Sequence, residues 1–226
     1  MKLTVMLTRI EGPSPPYDHN YLLASTVLAA LKNRSAQAAA IIHDNTKTSP
    51  YVLSEIHPFP RRNGEFYFCF STTNVRLAKL VEESFPNEAN IRVGPTNFKV
   101  GGIKRSEVRA SIPSPIEVAT LSPVIVREKK NHSRCLIPDD AGYLDVLNDL
   151  VAAKIRKFAG PEETCKVLRV VPQAVRRRTV AGGTVLATKG HFFMHGSENG
   201  LRFILEHGLG ANTAMGFGFV VPTGGW

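Results

Sequence analysis

The feature that most constrains this chain is a change of hydrophobic period, from two to three-and-a-half and back, that occurs in the same order twice. Leu3, Val5 and Leu7 alternate along residues 2–9, the pattern of a half-buried strand. Gly12, Pro13, Pro15 and Pro16 then break the chain. Ala24, Val27, Leu28 and Leu31 recur at i, i+3, i+4 and i+7, which predicts a helix over 20–33 with one buried stripe. An Ala-rich piece, 35–42, leads to His43 and a polar loop, 44–50. Residues 51–57 read as a strand, as do 65–71, where Phe66, Phe68 and Phe70 should face the core with Tyr67 and Cys69 opposite. Arg61-Arg62-Asn63-Gly64 is a basic turn between them. A helix over 74–85 and a strand over 97–104 complete the order β-α-β-β-α-β, the ferredoxin-like pattern.

After a linker at 111–118 the order returns. A strand over 119–127 precedes a helix over 142–158 whose stripe is Leu144, Leu147, Val151, Ile155 and Phe158. A strand at 166–171 opens a hairpin that turns at Gly182-Gly183, and 191–195 is again extended. A short helix over 198–206 carries Leu201, Ile204 and Leu205, and Phe217, Phe219 and Val220 mark a last strand. The expectation is an α+β chain of two tandem ferredoxin-like domains, 1–110 and 119–226, joined by 111–118, with a glycine-rich loop near its end. The repeat is one of element order, not of residues.

The 226 residues carry 28 Lys and Arg against 19 Asp and Glu, a net charge of +9, which favours polyanions, nucleic acid before an anionic membrane. Cys69, Cys135 and Cys165 are odd in number and widely spaced, so neither a zinc ribbon nor a disulfide framework is expected. His191 and His195 could share one face of a strand, but no acidic third ligand stands at a recognisable spacing. The expectation is no metal and no cofactor. The apolar run at the N-terminus is too short for a signal peptide and no stretch has the length of a membrane span, so a cytoplasmic setting is expected.

The densest motif is Gly208-Leu209-Gly210-Ala211-Asn212-Thr213-Ala214-Met215-Gly216-Phe217-Gly218. A dinucleotide fingerprint follows a strand and opens a helix; here a helix comes first and a strand last. No Gly-Lys-Ser/Thr follows, so it is not a P-loop. Its glycines could bring the backbone, and its amides a phosphate grip, close to a bulky partner; a long turn before an edge strand is the plainer reading.

A helix running into this loop and then a strand resembles the signature of the RAMP superfamily, and more narrowly the CRISPR repeat-RNA processing endoribonucleases. Tyr17-Asp18-His19-Asn20-Tyr21-Leu22-Leu23 resembles the entry to that family's first helix, and Thr120-Leu121-Ser122-Pro123-Val124-Ile125-Val126 the strand that opens its second half. His43 matches the position of its usual catalytic histidine. The resemblance spans nearly the whole chain. It implies two ferredoxin-like modules and metal-free cleavage of the long CRISPR transcript within each repeat, giving guide RNAs for antiviral defence. It implies RNA as the partner, with other CRISPR effector subunits as further candidates, and a monomer or homodimer.

In that chemistry the RNA's own 2′-OH attacks the adjacent phosphate and the 5′-oxygen leaves, so the protein supplies proton transfer and charge stabilisation. A histidine titrates in the right range for the first role, and His43 is the candidate. Lys47 would stabilise charge and Tyr51 would orient a phosphate or base. By itself His43 reads first as a surface histidine capping a helix C-terminus, and the resemblance turns the reading to catalysis. His19 and His57 are fallbacks. The tyrosine some members carry in the first helix is replaced here by Leu28, which transfers no proton.

RNA contacts are expected from Arg176, Arg177 and Arg178 entering the hairpin, from Lys189 leaving it, from Lys104 and Arg105, and from Gly208, Gly210, Gly216 and Gly218. Three arginines in a row alternate faces on a strand, so at least one points outward. Arg61-Arg62 fit a solvated turn as well. The alternatives are a non-catalytic RAMP subunit that holds guide RNA in an effector complex, a general RNA-binding protein, and a small-molecule enzyme on the same fold.

Overall fold

The computed structural model describes residues 1–35, 49–60, 62–107, 111–128 and 134–224. The N-terminal half begins with β1 (Lys2–Glu11) and α1 (Asn20–Arg34). Two short strands follow, β2 (Tyr51–Leu53) and β3 (His57–Pro58), then β4 (Glu65–Thr72), α2 (Val75–Ser84), β5 (Asn90–Val93) and β6 (Thr96–Ser106). The C-terminal half holds β7 (Ile116–Thr120), the small β8–β9 pair (Val126–Arg127 and Cys135–Leu136), α3 (Tyr143–Phe158), β10 (Cys165–Val180) and β11 (Gly183–Gly196). It ends with α4 (Glu198–His207), a 3₁₀ turn at Thr213–Met215 and β12 (Val220–Pro222).

The first sheet runs β2-β4-β1-β6-β5, with β3 also on β4, and the second runs β10-β11-β7-β12. Both are antiparallel. In each, the strand that opens the half (β1 or β7) lies inside, between the half's long third strand and its closing strand. The two halves therefore share one winding as well as one element order, and the chain is a mixed α+β protein with curled antiparallel sheets.

Burial follows the alternation. Leu3, Val5 and Leu7 point inward with Phe68 and Phe70, and Phe66 packs at their margin. Leu23, Val27 and Leu31 of α1 and Leu77 and Val81 of α2 close this core. The second core sets Leu147, Val151 and Ile155 of α3 against Phe192, Met194, Leu201 and Ile204. Helix starts are locally encoded. The Asn74 side chain accepts from the Leu77 amide (3.1 Å), and Ser197 accepts from Gly200 (3.2 Å), each worth ~1 kcal/mol.

Several boundaries differ from the sequence reading. The strand expected at 51–57 is two short pieces, because the Ser54 hydroxyl bonds the Cys69 amide (2.7 Å) and its own amide bonds the Cys69 carbonyl (2.8 Å), turning the chain there. β7 starts at Ile116, inside the stretch read as linker, and ends at Thr120 rather than 127. Phe217 and Phe219 belong to the glycine-rich loop and not to the last strand, which begins at Val220. The Ala-rich piece 35–42 lies, apart from Ser35, outside the described residues. Cys69 is 2% exposed although it faces away from the first core; it packs with Val52 and Phe219 where the two halves meet.

Candidate functional site

The glycine-rich loop is the junction. Gly208, Gly210, Gly216 and Gly218 all adopt left-handed φ, between 71° and 85°, and all are buried. A Cβ at Gly208 would meet Val52 Cγ2 at 2.7 Å, and one at Gly218 would land on the Leu209 carbonyl oxygen. Several of the amides that could have held a phosphate are already used. Gly208 N–H donates to Ile204 O and Gly218 N–H to Pro123 O, both at 2.8 Å. The Leu209 amide donates to Gly218 O and the Ala211 amide to Ile125 O. The Asn20 side chain, at the start of α1, donates to Gly216 O, and Lys154 of α3 donates to Gly208 O at 2.9 Å. The loop thus ties α1, α3, α4 and β2 to one point. Burial drives Lys154 down to about 7. Gly208 and Gly218 are fixed by packing rather than offered to a ligand, which is where the expectation of amides free for RNA departs from the structure.

The second junction is ionic. Glu55, 4% exposed between β2 and β3, accepts from Arg178 Nη2 (2.8 Å) and Lys189 Nζ (2.5 Å) on the β10–β11 hairpin. Arg178 is 2% exposed, donates also to the Tyr17 carbonyl (3.2 Å), and stacks its guanidinium 3.6 Å from the Tyr17 ring centroid. Asp18 accepts from the Thr179 amide at 2.6 Å. Of the three expected arginines, Arg176 and Arg177 are exposed and Arg178 is turned inward to clamp the hairpin onto the N-terminal half. Lys104 and Arg105 are exposed at the end of β6, with Arg105 held by Glu82.

Between these junctions and the loops of the first sheet lies a cavity of about 730 Å³. Its walls include Arg9, Tyr17, His57, Phe59, Arg62 and Lys189. His19 and His57, the fallback catalysts, both border it. His19 donates from Nδ1 to Pro16 O and accepts at Nε2 from the Ile56 amide, both 2.7 Å. Both ring nitrogens are committed and burial lowers its pKa, so it stays neutral and structural. Burial carries His57 to about 4, and its ring leans on Tyr67 at 5.3 Å. His207 is buried to about 3 and stacks on Phe203 at 4.1 Å. His191 pairs with Glu117 (2.6 Å) and His195 with Ser114 (2.9 Å), so this pair has separate partners. Among the described residues no group of three or more His, Cys, Asp or Glu is arranged to hold a metal.

His43 and Lys47 lie outside the described residues. Tyr51, expected beside them at a phosphate, is a core residue. Its ring stacks on Phe70 at 4.9 Å and burial pushes its hydroxyl up to about 12, so it keeps its proton at neutral pH. Its carbonyl accepts from Thr213 (3.3 Å), which fixes the start of β2 against the glycine-rich loop. Sequence reasoning missed Glu55, which no local pattern marks, and quoted Tyr17 only as part of the entry to the first helix.

Two junctions thus lock paired antiparallel sheets of a mixed α+β protein around a basic cavity. Residues 106–222, starting where β6 ends, match the family "CRISPR associated protein Cas6, C-terminal". The match covers just over half of the chain, and the protein belongs to the Cas6 family. It is 23% identical to the CRISPR-associated endoribonuclease-like protein Cas6nc of Pyrococcus horikoshii, over 97% of this chain and 98% of that one. A Cas6 endoribonuclease-like protein of Pyrococcus furiosus matches with the same identity and coverage. Among solved structures, an RAMP protein that binds different RNA substrates superposes with a TM-score of 0.84 at 23% identity, over 98% of this chain and 99% of that one. A Cas6 product complex gives 0.72 at 16%, over 98% of this chain and 100% of its own. No helix among the described residues is long and apolar enough to cross a membrane.

Proposed function

We propose that the chain is an endoribonuclease of two ferredoxin-like modules, 1–110 and 119–226, that cuts CRISPR precursor RNA within the repeat. The carrying observation is the Cas6 match over 106–222, which supports an RNA-processing role for the whole bimodular fold. The reaction is attack of the RNA's 2′-OH on the adjacent phosphate, with a 2′,3′-cyclic phosphate and a 5′-OH as products and no metal required.

His43 is the proton-transfer residue in this reading. The chain has seven histidines; the surroundings of the five described ones speak against them, which leaves His43 and His132, and the family resemblance favours His43. His19 has both nitrogens committed, His57 is half-buried and His207 buried with pKa values pushed down to about 4 and about 3, and His191 and His195 are paired on the second sheet. Lys47 is the charge stabiliser. Arg176, Arg177, Lys104 and Arg105 contribute phosphate contacts, which give affinity and salt dependence rather than sequence reading.

The test is incubation of purified protein with the repeat RNA of its own genome in EDTA, beside His43→Ala. One cut in the repeat, a cyclic phosphate end, and at least ~100-fold slower cutting by the variant are expected. Tight binding without cutting by either protein would refute the nuclease reading and assign a guide-RNA-holding subunit. A cut that survives His43→Ala would move proton transfer to another residue.

A further inference from the structure

The cavity beside the ionic junction has a composition that the cleavage chemistry does not use. Four cations line it, Arg9, Arg62, Arg178 and Lys189, against two carboxylates, Glu55 and Glu65. Arg178 and Lys189 already share Glu55, and Arg62 reaches Glu65 at 3.1 Å while its side chain stays 64% exposed. Arg9 donates to Ser14 (2.9 Å) and has no carboxylate partner among the described residues. Positive charge is therefore left over on Arg9 and on the Arg178–Lys189 pair that shares one carboxylate, and Arg62 keeps an exposed guanidinium beside them.

Aromatic surface stands next to that charge. Tyr17 is 61% exposed, unusual for a ring held so firmly. The Arg178 guanidinium covers one face and leaves the other available. Phe59 lines the same cavity, tilted on Tyr67 at 4.9 Å and flanked by Arg62 at 5.7 Å. Cations beside open ring faces are the recurring grip on single-stranded nucleic acid, because every base has a π-face and every nucleotide a phosphate. A cavity of this volume is of small-ligand size and does not admit a base-paired stem.

We propose that this cavity binds one unpaired nucleotide of the RNA, with its base stacked on the free face of Tyr17 near Phe59 and its phosphates on Arg9 and Arg62. The site sits beside the turn end of the β10–β11 hairpin, where Arg178 faces Val185, so a strand gripped by exposed Arg176 and Arg177 can pass into it. The proposal rests on the RNA-processing reading and adds a position where the RNA must be single-stranded.

The test measures affinity for the repeat RNA by filter binding at several salt concentrations, for wild type, Tyr17→Ala, Tyr17→Phe, Arg9→Ala and Arg62→Ala. Tyr17→Ala should weaken binding about tenfold while Tyr17→Phe stays near wild type. Each arginine variant should lower the salt slope by about 0.7. Repeat RNA carrying 4-thiouridine, irradiated on the wild-type protein, should crosslink to the peptide with Tyr17 or the one with Phe59. All three side chains to be changed to alanine are at least partly exposed, and melting curves would register any loss of fold. Wild-type binding with unchanged affinity in every variant, and crosslinks elsewhere, overturns this site and leaves the RNA-processing reading standing. Failure of the wild type to bind repeat RNA overturns both.

Discussion

Replacing Glu55 by Gln tests whether the ionic junction holds the two halves together. The substitution keeps the side chain's size, removes its charge and replaces one of its two accepting oxygens by an amide NH2. Lys189, 31% exposed, can turn to water, but Arg178 at 1% side-chain exposure cannot. Stranding a buried charge costs about 3–5 kcal/mol. The retained amide oxygen still accepts one bond, so the lower figure, about 3 kcal/mol, is the expectation for Glu55→Gln. Against a whole-protein stability of about 5–15 kcal/mol that is a large fraction. Urea unfolding should show it as a midpoint about 1 M lower, at a slope of about 3 kcal/mol per M. The partner experiment is Glu55→Leu with Arg178→Met, which removes both buried charges together. It should cost much less than the two single changes summed, because no buried ion is left alone. Additive costs in that cycle, or a Glu55→Gln midpoint within about 0.2 M of wild type, would refute the clamp.

Two further perturbations follow from the geometry. Gly218→Ala combines a left-handed φ with a backbone collision at Leu209, and should lose about 3 kcal/mol from ~1–2 of conformational cost and a strained Leu209–Gly218 hydrogen bond, read from its urea midpoint. Acid should destabilise the protein early. His57 and His207 have folded pKa values of about 4 and about 3 against 6.5 unfolded, so the unfolded chain binds protons that the folded one refuses. Stability should therefore fall as pH drops below about 6.5 and go on falling toward 4, and His207→Phe should flatten part of that slope; a pH-independent urea midpoint over this range would contradict it.

The cores were legible in the sequence because each depends on a local period. Phe66, Phe68 and Phe70 announce β4, and Leu147, Val151 and Ile155 announce α3. The glycine motif was legible as a motif, but its function as a junction was not, since the atoms that forbid a Cβ come from Val52, Asn20 and Ile125, far away in the chain. The same holds for Arg178. Alternation puts Arg176 and Arg178 on one face and Arg177 on the other, yet only Arg178 is buried, because it meets Glu55, 123 residues distant. β5 was missed because Asn90–Val93 is short and carries only Ile91 and Val93 as apolar residues. Tyr51 was misplaced for the opposite reason. A tyrosine near a polar loop reads as exposed until the strand beneath it is known to pair with β4 and to bring it onto Phe70.

Charge that looks free in a sequence is not free in a fold, and this bears on where RNA is held. A net +9 suggests a uniformly attractive surface. In the folded chain Arg178 and Lys189 spend their charge on Glu55, and Arg105 spends its on Glu82. Lys154 is buried at the glycine-rich loop. The cations left to meet phosphate include Arg9, Arg176, Arg177 and Lys104, which lie on different strands of two halves. Their spacing is set by the junctions and not by the strands themselves. A change that loosens Glu55 or Gly218 should therefore weaken RNA binding although neither residue faces a phosphate, by letting the basic residues drift out of register. Loss of affinity in those variants, recovered when the fold is stabilised by an excluded osmolyte, would separate this indirect effect from the loss of a contact, which an osmolyte does not restore.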